Sequence, residues 1–392
     1  MIYKIRSGLK FTLTETACCG NQRLMRNSAT AGRVWPRVPL LILGIASLLA
    51  AIWGGLTRLP LALPLPADNA NWLSYHGPLM VCGFLGTVIG LERVVGLPDR
   101  WPYLAPILTG AGALMLMAGQ GGRAGLLCLA AGSAVFLAVT LRVVQLRREL
   151  FTVTMSLGAA SWLVGNILWL ADWTMDRVVP WWMLFLALTI AGERLDLGRF
   201  QREEPAARPL FLALLVMLGA GILATVWQGE RLLGAGLLGL AVWHARFDLA
   251  RRTVRQTGLP RFMAVCLLSG FAWMAVSGAL LIFAHPLQSG GSYDAALHAF
   301  FLGYVFAMIF GHAPVIFPSV LGRPVAYRPR FYIHFAVLHG SLLVRMIGAL
   351  AGWAEVRQWG GVLNAVALVL FLGNTISTML LTPRARRQGA GD

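Results

Sequence analysis

Charge is what this chain has least of. Only 12% of its 392 residues are Asp, Glu, Lys or Arg, against about 25% in a soluble domain, which is too little to clothe a water-exposed surface. Acidic residues are the scarcer sign, 16 against 33 basic. Cysteine is sparse as well: Cys18, Cys19, Cys82, Cys128 and Cys266 include no CxxC pair and no zinc-type spacing, so neither a disulfide framework nor a zinc ribbon has a basis, and the last three read as buried apolar cysteines. Phosphate loops and nucleophile triads are missing, and with them the motif support for nucleoside-triphosphate or hydrolase chemistry.

What the chain has is hydrophobic residues, 57% of the total, gathered in blocks longer than a soluble core helix needs; about 20 apolar residues cross a bilayer. Twelve segments qualify, roughly 38–58, 72–95, 101–120, 123–145, 149–171, 178–198, 208–228, 231–250, 261–284, 293–318, 329–351 and 357–381. Backbone polar groups in lipid must be satisfied within the segment, so each is expected to be helical. The expected organisation is a basic cytoplasmic tail over 1–37 (Met25 offering another initiator, and no signal-peptide h-region being present), a polytopic membrane domain over 38–382 and a short tail over 383–392.

The net charge of +17 is distributed as topology requires and not as a nucleic-acid patch. With the amino terminus inside, 27 of the 33 Lys and Arg fall on the cytoplasmic side, five (Arg58, Arg123, Arg177, Arg231 and Arg357) fall on the other, and Arg345 lies within a span. This asymmetry places both termini in the cytoplasm of a bacterial inner membrane, with anionic lipid headgroups as the partners of the basic loops. Trp72, Trp101, Trp173, Trp181, Trp182 and Trp359 fall near span ends and are expected in the interfacial belts.

A repeat underlies the spans. Glu92 and Arg93, then Glu193 and Arg194, then His312 end the second, sixth and tenth segments at spacings of 101 and 119 residues. Gly44, Gly158 and Gly270 recur in the first, fifth and ninth at spacings of 114 and 112. Both series predict three units of four helices.

Ionisable groups inside a membrane are expensive, and each is a functional hypothesis. His76 opens the second span and His298 lies early in the tenth; both spans start on the same side, so the two imidazoles share a depth and can hold a haem iron axially. Interfacial histidines bonded to backbone or water are the alternative. Arg345 is expected to meet haem propionates at that level, or else to snorkel. On the opposite side Glu92, Glu193, His312 and His334, with His339 deeper, form the candidate metal or proton-relay set. His285 is expected in a loop.

The architecture, with histidines on helices two and ten, resembles subunit I of haem-copper oxidases. The segments Tyr75-His76-Gly77-Pro78-Leu79-Met80-Val81-Cys82-Gly83-Phe84-Leu85-Gly86 and His298-Ala299-Phe300-Phe301-Leu302-Gly303 look more like the NnrS family, haem- and copper-containing membrane proteins linked to nitric-oxide tolerance. The resemblance implies b-type haem on His76 and His298, copper or another transition metal, a respiratory redox partner, and a role in nitrogen-oxide or respiratory stress. It does not extend to an oxidase binuclear centre, because the sixth and seventh spans contain no histidine. A transporter using the buried Glu and His as a path, and an assembly or metal-delivery factor, are the rival functions.

Overall fold

The computed structural model describes residues 37–59, 61, 74–119, 122–199, 204–225, 229–284, 289–323 and 325–382. The two terminal tails (Arg37 excepted), Cys18, Cys19, Met25, Trp72 and His285 lie outside the described residues.

Among those residues the chain is all helix: α1 Arg37–Thr57, α2 His76–Val95, α3 Trp101–Met117, α4 Gly122–Leu146, α5 Leu150–Leu170, α6 Met175–Gly198, α7 Ala207–Ala224, α8 Glu230–Phe247, α9 Gly258–Phe283, α10 Gly290–Leu321, α11 Phe331–Ala351 and α12 Ala354–Leu381, with one further turn at Ala250–Thr253. Ten of them are long and apolar enough to cross a membrane. The two that fall short are α3, which is shorter, and α8, which carries Glu230, Arg231 and Arg246 within 18 residues. The protein is therefore a multi-pass helical membrane protein.

Local chemistry sets the helix ends. Glu149 and Thr152 form a reciprocal capping box at the start of α5. Gly322 and Gly352 close α10 and α11 in the left-handed region, at φ 65° and 74°, where a side chain would be strained. Two helices carry an irregularity that sequence periodicity does not show. α2 is π-helical over Leu79–Leu85, directly after Pro78, and α10 is π-helical over Ala299–Phe306, directly after His298. Pro78 lacks the N–H that a regular turn would use, and π segments concentrate at functional sites.

The helices contact their sequence neighbours in turn from α1 to α12, and α12 returns to α1, closing a ring. α10 also touches α1, α2, α6 and α12 across the interior. α2, α6 and α10 are the most enclosed spans, with 72%, 83% and 67% of their apolar windows buried. Gly44, Gly158 and Gly270 lie where α1 meets α2, α5 meets α6 and α9 meets α10. A Cβ at Gly44 would meet the Phe84 carbonyl at 3.8 Å, one at Gly158 the Phe185 carbonyl at 2.9 Å, and one at Gly270 the Tyr304 carbonyl at 3.3 Å. Phe84, Phe185 and Tyr304 are themselves spaced by 101 and 119 residues. Small residues here let backbones approach closely, as in other membrane helix pairs.

Cys82 and Cys266 are buried free thiols. Cys82 belongs to a polar knot: its thiol donates to Asn166 Oδ1 at 3.3 Å, Trp182 Nε1 donates to the same oxygen at 3.0 Å, and Trp162 Nε1 donates to Cys82 Sγ at 3.4 Å. Trp182 thus departs from the belt expected for it; it is fully buried, because its N–H finds a partner inside the bundle, whereas Trp101, Trp173 and Trp359 are exposed.

Candidate functional site

The structure brings His76 and His298 together. Their ring centroids are 6.5 Å apart with the planes only 16° from parallel. Each ring is oriented from behind. His76 Nδ1 lies 2.6 Å from the Ala51 carbonyl of α1, and His298 Nδ1 lies 2.7 Å from the Asp294 carbonyl one turn earlier. A carbonyl can only accept, so both Nδ1 atoms carry the proton and both Nε2 atoms keep a free lone pair, the tautomer of a metal-ligating histidine. Gly55 makes the α1 side of this possible: a Cβ there would come within 2.8 Å of His76 Nδ1 and 2.7 Å of its Cε1. Around Gly77, beside His76, the space is open.

The spacing fits an iron between the rings. With about 2 Å per metal–nitrogen bond and roughly 1.1 Å from nitrogen to ring centre, two imidazoles on one iron would place their centroids about 6.2 Å apart. Eight residues deeper on both helices, Phe84 faces Phe306 with centroids 6.1 Å apart and planes 17° from parallel. Eight residues of regular helix overshoot two turns by about 80°; one extra residue in a π segment brings the offset back to about 20°. The π segments thus keep the phenyl pair under the histidine pair, between α2 and α10.

Arg345, expected from sequence to meet haem propionates or to snorkel, has a carboxylate partner in the chain itself. Its Nε and Nη2 donate to the two Asp294 carboxylate oxygens at 3.0 and 2.7 Å, and Asp294 Oδ1 lies 3.4 Å from His298 Nδ1. A half-buried guanidinium inside a span needs a carboxylate, and Asp294 supplies it. Arg345 therefore positions His298 through Asp294. Arg58, just past α1, is the exposed cation close enough to His76 for their charges to interact. The signal that would have found Asp294 is its place four residues before His298 on one helix, since residues four apart are neighbours.

The second set divides. Glu92, Glu193 and His312 line one apolar cavity between α1, α2, α6, α10 and α12. Glu193 Oε1 accepts a 2.5 Å hydrogen bond from Arg93 Nη2, and His312 Nδ1 is tied to the Met308 carbonyl at 2.8 Å. His334 and His339 do not join them. His334 is buried among Phe310, Phe331 and Phe371 with its Nδ1 3.1 Å from Asn374 Nδ2. His339 Nδ1 accepts from Trp273 Nε1 at 2.7 Å and its Nε2 meets Ser269 Oγ at 3.3 Å, so both nitrogens are used. Among the described residues no three His, Cys, Asp or Glu side chains converge to hold a metal. The π segment also removes the face that His298 and His312 would share on a regular helix: their effective separation falls by one residue, and the two serve different spaces.

Sequence reasoning missed a third feature. Arg194, of the Glu-Arg pair ending α6, binds Asp248 bidentately at 2.8 and 2.8 Å with both side chains almost wholly buried. His244 lies beneath, stacked on Phe271 at 4.7 Å, with neither ring nitrogen hydrogen-bonded among the described residues.

A family model described as Domain of unknown function (DUF8744) matches residues 37–380, which is nearly the whole helical part, and the chain belongs to that family. No curated protein matches it.

Proposed function

We propose that this is a haem-binding inner-membrane protein in which His76 and His298 are the two axial ligands of a b-type haem, acting in electron transfer under nitrogen-oxide or respiratory stress. The observation that carries the reading is the histidine pair itself: 6.5 Å between centroids, nearly parallel planes and both Nδ1 atoms held by carbonyls. The resemblance to the NnrS family supplies the physiological half. The ring of helices, the enclosed α2, α6 and α10, and the recurrent glycine contacts support twelve spans in three units of four, as in oxidase subunit I.

In this reading a haem held by His76 and His298 would supply one-electron transfer. The residues of the chain do the rest. The Ala51 and Asp294 carbonyls fix the imidazole tautomers, Asp294 and Arg345 orient His298, Phe84 and Phe306 keep the slot apolar and water out, and Arg58 is placed to meet an acidic substituent at its mouth.

The deciding experiment is the absorption spectrum and iron content of the full chain purified in mild detergent. A Soret band with sharp bands on reduction, at about one iron per chain, is expected. Iron or copper without a Soret band would leave a bare metal between the imidazoles, and neither would return the protein to the transporter reading. Arg345→Leu tests the positioning chain. It removes the partner of Asp294 and no iron ligand, so haem affinity is expected to fall about 10- to 100-fold with the low-spin spectrum of the remaining holoprotein unchanged. A high-spin spectrum would make Arg345 more than a positioning residue.

Orientation is tested by reporters. A fusion after Gly322 is expected to read cytoplasmic and one at Gly290 periplasmic, because α10 separates them and the basic residues follow its far end. Fusions reading the same side would break the span assignment.

A further inference from the structure

The apolar cavity at the far end of α2 from the histidine pair holds an unusual set of polar groups. It is walled by side chains of α1, α2, α6, α10 and α12, and its lining is aliphatic and aromatic apart from Glu92, Glu193, Thr189 and His312. Two of these are unsatisfied among the described residues: His312 Nε2 and Thr189 Oγ1 are buried without a hydrogen-bond partner. Such atoms in a native interior are normally met by water or by a ligand.

The donor and acceptor sense of these atoms restricts the ligand. His312 Nδ1 donates to the Met308 carbonyl at 2.8 Å, so Nε2 is an acceptor and needs an O–H or N–H from its partner. Glu193 is already engaged by Arg93, which leaves Glu92 as the other acceptor. The Glu92 carboxyl, with no cation bonded to it among the described residues, disfavours a fatty acid or a phospholipid phosphate. The remaining walls, including Phe317 and Phe371, favour a flat ring and a hydrocarbon tail. A neutral, flat, lipid-soluble molecule with hydroxyl donors meets all of these demands.

We infer that this cavity binds an isoprenoid hydroquinone of the bilayer, with one ring hydroxyl donating to His312 Nε2 and the other directed at Glu92. The two sites lie at different depths, with Phe84 as a common wall. His312 follows His298 by 14 residues, about 20 Å along α10 at 1.5 Å per residue, and the Phe84–Phe306 pair lies between their levels. Hydroquinone binding stands independently of haem: a protein that binds the ligand but shows no Soret band keeps this inference and loses the haem reading.

Calorimetric titration of the full chain in detergent, without oxygen, tests it with decyl-hydroquinone and its dimethyl ether. The ether keeps ring and tail and loses both donors, so it is expected to bind at least tenfold more weakly, because His312 Nε2 is then left unpaired. His312→Phe keeps an aromatic ring and removes the acceptor; hydroquinone and ether should then bind alike. Ile309→Trp fills the cavity and should abolish binding of both. Equal affinity of the wild-type chain for hydroquinone and ether, or no hydroquinone binding at millimolar concentration, overturns the inference. So does full discrimination by a His312→Phe protein of unchanged melting temperature. The ligand comparison on the wild-type chain needs no variant to fold.

Discussion

Alanine at position 76 or at position 298 is expected to remove the low-spin haem spectrum, and the double variant to be no worse than either single one. Each substitution deletes one of two axial bonds whose geometry depends on the other, so the pair acts as a unit and the losses are not additive. Outer-shell residues of metal sites cost about 10- to 100-fold in affinity when changed; an axial ligand stands closer, and loss of haem on purification, or conversion to a high-spin spectrum, is the expected outcome. The two variants should not differ in kind. His76 comes from α2 and is oriented by α1, His298 comes from α10 and is oriented by its own helix, yet both bind a carbonyl through Nδ1 and keep Nε2 for a metal. His285→Ala, outside the paired helices, should leave the spectrum unchanged. A low-spin spectrum that survives in both single variants would sink the assignment.

Much of this was legible in the chain. Depth was readable because the two histidines open spans that start on the same side, and the equivalence of Glu92, Glu193 and His312 was readable from spacing. The register of the interior was not. A hydrophobic pattern records which faces are apolar, but one extra residue in a π turn rotates everything beyond it by about 100°. Thus His76 and Glu92, 16 residues apart and nearly opposite on a regular helix, come to the same side of α2. Nor could a sequence state who answers Arg345. A charged side chain in the membrane advertises a need for a partner and not its identity, and Asp294 is that partner. The same limit hid Asp248, which sits beyond the end of α8 and pairs with Arg194 from α6.

That last pair should be the most costly surface-remote contact to break. Arg194→Leu is expected to destabilise the protein by about 3–5 kcal/mol, because it strands a buried carboxylate. Asp248 accepts both Arg194 hydrogen bonds and a third from the Ala250 amide at 2.7 Å. Burial pushes its carboxyl up, but the Arg194 charge and hydrogen bonds, with His244 and the Ala250 amide, outweigh it and hold the group below its ordinary value of 3.8. A carboxyl depressed in the folded state adds stability that is fully present above the unfolded value and lost as pH falls through the folded one. Melting temperature in detergent should therefore hold from neutral pH down to about 4 and then fall in the wild type, and Asp248→Asn should flatten that acid limb while lowering the plateau. Arg194→Leu combined with Asp248→Leu, which leaves no orphaned charge, should recover part of the loss; buried pairs replaced by apolar residues are often neutral or better. A double variant as unstable as the sum of the singles would mean that the ion pair holds the α6–α8 junction by more than charge compensation, and a single Arg194→Leu variant melting with the wild type would mean that it does not hold that junction at all.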